Sequence, residues 1–129
     1  MSSLHKTLAA AALLVSMSPA AHAYEYFTPV SASQDGTAIT CAIVNVGATP
    51  IVVSAAVQQM TDGSDITSNT ICPPGPATLP PGAACFANTG QVGSHLGYCH
   101  FTTSSSKVRG DLIIFGTNGD VLVTIPATR

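Results

Sequence analysis

Apolar and polar residues alternate through most of the chain in short runs closed by glycine, proline or aspartate, and this period of two predicts β-strands. The most apolar run is residues 37–46, with Ile39, Cys41 and Ile43 on one face and Ala42, Val44 and Val46 on the other. Apolar residues on both faces predict an interior strand. Residues 51–60 alternate more cleanly: Ile51, Val53, Ala55 and Val57 share one face, and Val52, Ser54, Ala56 and Gln58 the other. Their β-branched start and the following Asp62-Gly63 turn favour a strand and hairpin over a helix.

The flanking segments extend the same reading. Residues 24–30 form an aromatic edge strand, since Pro29 is tolerated only at an edge or strand end. Gln34-Asp35-Gly36 is a turn. Residues 65–72 predict a weak strand ending at Cys72, after which Pro73-Pro74-Gly75-Pro76 interrupts any regular ladder. Leu79-Pro80-Pro81-Gly82 is a second turn, followed by a short strand over 83–88 and a glycine-rich loop over 89–94. A further strand begins near Tyr98, and strands over 107–115 and 121–126 form a hairpin through Asn118-Gly119.

Seven or eight short strands at intervals of about 8 to 14 residues predict an all-β fold, a single antiparallel β-sandwich of immunoglobulin-like kind. In that arrangement cysteines of the second and sixth strands bridge the sheets, which is where this count places Cys41 and Cys99. Two features depart from it: there is no tryptophan, and Tyr98 precedes Cys99 by one residue where a tyrosine corner needs two. The strand topology is therefore left open.

The first 23 residues stand apart. Lys6 precedes an apolar run from Leu8 to Val15, and Ala21-His22-Ala23 has the small-x-small pattern of a signal-peptidase site. Residues 1–23 are expected to be a signal peptide and 24–129 the sandwich domain. The apolar run is short of the roughly 20 residues that span a bilayer, and no later run approaches that length, so no transmembrane segment is expected in the mature chain. The expected location is the periplasm or the extracellular medium.

Charge narrows the partners. Lys107, Arg109 and Arg129 stand against Glu25, Asp35, Asp62, Asp65, Asp111 and Asp120 in the mature part, a slightly acidic balance with no basic patch. Nucleic acid and anionic membrane surfaces are thus poor candidates.

Behind a secretory signal, Cys41, Cys72, Cys85 and Cys99 read as a disulfide framework with three possible pairings. Zinc is the competing reading, but there is no Cys-x-x-Cys pair and the gaps are long and irregular. Cys72 and Cys85 flank the proline-rich stretch and would clamp it, which leaves Cys41 for Cys99. In the chain-entropy description the short loop contributes about 3 kcal/mol and the long one about 4.

No catalytic constellation emerges. The only histidine bases of the mature part, His95 and His100, are expected at the surface, no serine sits in a Gly-x-Ser-x-Gly elbow, and the aspartate pairs Asp62/Asp65 and Asp111/Asp120 flank turns. No calcium-loop pattern is present, and oxidised cysteines leave no thiol for catalysis. The expectation is no enzyme, no cofactor and no metal site.

Cys41-Ala-Ile-Val-Asn-Val-Gly47, Leu79-Pro-Pro-Gly-Ala-Ala-Cys85, Tyr98-Cys-His-Phe101, Val108-Arg109 and the Asn118-Gly119 hairpin together resemble a family of small exported proteobacterial proteins with a signal peptide and a disulfide-bonded β-sandwich. The resemblance implies a fold and a compartment, and no reaction. The expected role is a non-catalytic binding or structural module for an unidentified protein or envelope partner, through a sheet face or an edge strand. The alternative is a secreted inhibitor or enzyme accessory presenting the Cys72–Cys85 loop. A pilus-type subunit ranks lower because the strand set looks complete.

Overall fold

A computed structural model describes residues 23–129; the expected signal peptide, apart from Ala23, lies outside the described residues. Ten strands, β1 (Tyr24–Phe27), β2 (Ser31–Ser33), β3 (Ala38–Asn45), β4 (Ile51–Gln59), β5 (Asn69–Thr70), β6 (Thr78–Leu79), β7 (Ala84–Asn88), β8 (His95–Thr103), β9 (Val108–Phe115) and β10 (Val121–Pro126), form two antiparallel sheets. One runs β1-β8-β4-β6 with β2 also on β8, and the other runs β10-β9-β3-β7-β5. The expected β-sandwich is thus present. Three of the ten strands are pieces of two or three residues, so seven longer strands carry it.

The interior strand expected around Cys41 is β3, paired with β7 on one side and β9 on the other. Its inward residues Ile39, Cys41 and Ile43 are almost wholly buried, among Val53, Val57, Phe101, Leu112 and Ile114. Gly110 of β9 faces Phe101 so closely that a Cβ there would lie 2.9 Å from the ring, so the absent side chain is what admits the phenylalanine.

Cys41–Cys99 joins the two sheets through this core, and Cys72–Cys85 fastens the proline loop to β7, so both expected pairings are present and no cysteine is free. Two disulfides suggest an oxidising environment. Among the described residues no helix is long and apolar enough to cross a membrane.

Two expectations are revised. The weak strand over 65–72 shrinks to β5, and the chain after Asp62-Gly63 makes only a single bridge, Gln58 to Asp65, before crossing to pair β5 with β7 of the other sheet. Cys99 consequently lies on the fifth of the seven longer strands instead of the sixth. The topology left open also resolves. The bridge between sheets is placed as in an immunoglobulin-like sandwich, but β9, which follows the second cysteine strand, pairs with β3 of the opposite sheet, and β1 lies beside β8 instead.

Phe27 and Thr128 close one side of the sandwich. Thr128 exchanges backbone hydrogen bonds of 2.9 and 2.8 Å with Phe27, joining the β10 edge of one sheet to the β1 edge of the other. Ala127 N–H donates to Gly110, so in the alternating ladder Pro126 turns its missing donor outward. That proline and the bulge between Val121 and Val123 blunt an edge whose Val121, Leu122 and Val123 are exposed.

Candidate binding groove

The opposite side of the sandwich is less complete. Val52 exchanges hydrogen bonds with Ser104, its N–H to the Ser104 hydroxyl and its C=O from the Ser104 N–H. Antiparallel alternation then turns Ser54, Ala56 and Gln58 towards β8 and Val53, Ala55 and Val57 towards the other edge. On that edge β6 covers only Ile51 and Val52. Further along, the Val57 N–H donates to the Thr67 hydroxyl at 2.9 Å, and the Val57 carbonyl accepts from Ile66. The Val52–Thr78 pairing sets the Val53 N–H opposite the Ala77 carbonyl, and beyond it the Val53 carbonyl and the Ala55 N–H and C=O receive no backbone hydrogen bond from the described residues.

The reason lies in the sequence of the segment opposite. Cys72-Pro73-Pro74-Gly75-Pro76 passes here, and prolines have no N–H to donate to a ladder. The loop is held close by Cys72–Cys85, whose Cα atoms are 4.7 Å apart, but it cannot complete the sheet. What results is a groove of about 570 Å³ with Val52–Ala55 along one wall, Cys72–Gly75 along the other and Thr102, Thr103 and Ser104 at its side. None of its lining residues is charged. Ala23, the residue preceding the expected cleavage point, also borders it.

A second hollow of about 450 Å³ lies on the outer face of the other sheet, over Ala42, Phe86, Ile113 and Phe115. There all strands have neighbours on both sides, so it offers apolar contact without free backbone groups.

The four cysteines singled out in the sequence are structural: Cys41, Cys85 and Cys99 are buried and Cys72 is half-buried at the groove. The histidines are separated from the groove and from each other. His95 opens β8 with Nε2 3.1 Å from the Val92 carbonyl, and is half-buried. His100 points to the outer face, as its alternation with Cys99 predicts. It stacks on Phe27 with ring centroids 4.6 Å apart, and its Nε2 lies 3.5 Å from a Glu25 carboxylate oxygen. The leading aromatics divide: Tyr26 packs on the core, whereas Phe27 is 40% exposed.

Asp62 and Asp65 serve turns, whereas Asp111 lies within β9 opposite Ala42 and Pro126 and flanks no turn. Asp62 accepts from the Ser64 N–H at 3.0 Å and Asp65 from the Thr67 N–H at 2.8 Å. The Ser64 backbone and hydroxyl hold the Asp62 carboxyl below its usual pKa. Among the described residues no three His, Cys, Asp or Glu side chains are grouped so that they could hold a metal ion.

The sequence reading named one wall of the groove, the clamped loop, and missed the other. The gap in the β4 ladder had one sequence signal, a proline run facing a strand it cannot pair with, but locating it requires knowing which strand the loop passes. Compared with protein-family models, curated proteins and solved structures, the chain matches none.

Proposed function

We propose that this protein is a non-catalytic exported binding module of a bacterial envelope, acting in the periplasm or outside the cell, whose protein partner docks in the groove between β4 and the Cys72–Cys85 loop. The observation that carries this reading is the groove itself: one strand edge with free backbone groups, one wall anchored by a disulfide, and no charged lining residue. A loop so anchored loses little entropy on binding, which favours recognition. Membership of a family of small exported proteobacterial proteins belongs to the same proposal and rests on the motifs that carry the resemblance.

The alternative, an inhibitor or enzyme accessory presenting the loop tip, is favoured by the exposure of Pro74 through Thr78. One experiment separates the two. The exported protein, carrying a photo-crosslinking residue at Pro74, is incubated with envelope extract as wild type and as Ser54→Arg, which fills the groove from the outer face of β4. Crosslinks lost in Ser54→Arg support the groove. Crosslinks that survive it but vanish in the Cys72→Ser, Cys85→Ser double variant support the presented loop. A strictly monomeric protein that crosslinks to nothing overturns both. N-terminal sequencing of the same exported protein is expected to begin at Tyr24.

A further inference from the structure

We infer that the groove takes an extended, uncharged peptide segment, which adds to the β4 edge as a short strand at Val53 and Ala55. This deepens the reading of the groove as the docking site and rests on it. The Val53 C=O and the Ala55 N–H and C=O turn towards the groove from residues two apart, which is the repeat with which a strand edge receives another strand. The gap they leave is bounded at Val52 by Thr78 of β6 and at Val57 by Ile66 and Thr67, so only about three or four residues of a peptide fit, at about 3.3 Å each.

Chemical selectivity follows from the walls. Val52, Pro73 and Pro74 offer apolar contact, and Ser54, Thr102 and Ser104 offer hydroxyls, with no charge to pair with a charged ligand side chain. Burying an unpaired charge is expensive, so the groove discriminates against Asp, Glu, Lys and Arg at the inserted positions. Small and β-branched residues suit both the walls and the extended backbone. The other long edge among the described residues, β10, is blunted by its bulge and by Pro126, which leaves β4 as the edge open to a strand.

The probe is a capped pentapeptide, acetyl-Thr-Val-Thr-Val-Thr-amide, titrated into the 24–129 protein while backbone amide hydrogen exchange is followed residue by residue. In the free protein the Ala55 amide should exchange faster than those of Ser54 and Ala56, which are bonded to β8. Saturating peptide should slow Ala55 by about tenfold or more, and a peptide N-methylated at alternate amides should bind about tenfold more weakly. Ala55→Pro should abolish binding while the Ser54 and Ala56 amides keep their protection, because the lost N–H faces the groove and not β8. Should that variant fail to fold, the N-methylated peptide makes the same test on the wild-type chain.

An Ala55 amide already protected in the free monomer, or no saturable binding at millimolar peptide, overturns the inference. So does protection that rises with protein concentration in the absence of peptide, which would identify a second copy as the occupant. If an envelope partner is blocked by Ser54→Arg yet leaves the Ala55 amide unprotected, strand addition is wrong and the groove remains the docking site. If Ser54→Arg blocks nothing, the docking site itself is wrong.

Discussion

Asn45 holds a junction that the alternation of apolar residues gives no hint of. It falls within the apolar run 37–46; in the structure it ends β3 and is completely buried. Its amide nitrogen donates to the Thr49 carbonyl at 2.8 Å and the Leu79 carbonyl at 3.0 Å, and its oxygen accepts from the Gly47 N–H at 2.9 Å. One side chain thus ties β3, the loop after it and β6 together. Asn45→Ala should destabilise the domain by about 2 to 4 kcal/mol, because two carbonyls and an N–H lose their partner in a buried site. Asn45→Asp should be worse at pH 7, where a carboxylate would face two carbonyls. That deficit should shrink as acid protonates the carboxyl and restores one donor, and denaturant midpoints at several pH values measure both effects. The residues at this scale that were legible beforehand were those with a local cause: Gly36, Gly82 and Gly119 have positive φ in the turns expected for them.

At the scale of elements, the two disulfides do different work. Cys41–Cys99 staples the sheets through the core, and Cys72–Cys85 holds the wall of the groove. Removing the first pair as a double Ser variant should lower stability by about 4 kcal/mol, and removing the second by about 3. Only the second should abolish crosslinking from Pro74 while the core signals of Ile39, Phe101 and Leu112 stay in place; urea denaturation and the crosslinking assay on both variants check this. Element boundaries with strong punctuation were legible, as in β3, β4, β9 and β10, because glycine and proline act on their own neighbours. The 65–72 segment was not. Its alternation is weak, and whether it stays with β4 or crosses to β7 depends on a partner distant in sequence.

At the scale of the whole molecule, the sandwich is closed on one side by the Phe27–Thr128 seam and left open on the other. Thr128 bonds to Phe27, and the Arg129 guanidinium sits over the Tyr24 ring at 4.4 Å. Deleting residues 127–129 should remove two backbone hydrogen bonds at this seam and destabilise by about 1 to 2 kcal/mol. The Phe27 amide should then exchange faster while Tyr26, bonded to β8, is unchanged, as residue-resolved exchange would show. The open side is the groove, where the prolines that secure the loop's shape also prevent it from completing the β4 ladder.

The sequence by itself determined the all-β class, the sandwich and the turns at Gly36, Gly82 and Gly119, because each depends on residue period or on φ preference, and it favoured the cysteine pairing that the structure then fixed. Tertiary structure alone decided that β9 joins β3 and β1 joins β8, that Asn45 is a buried junction, and that the proline loop passes an unfilled strand edge. Those features come from contacts between segments far apart in the chain, and no local pattern specifies which edge a segment meets.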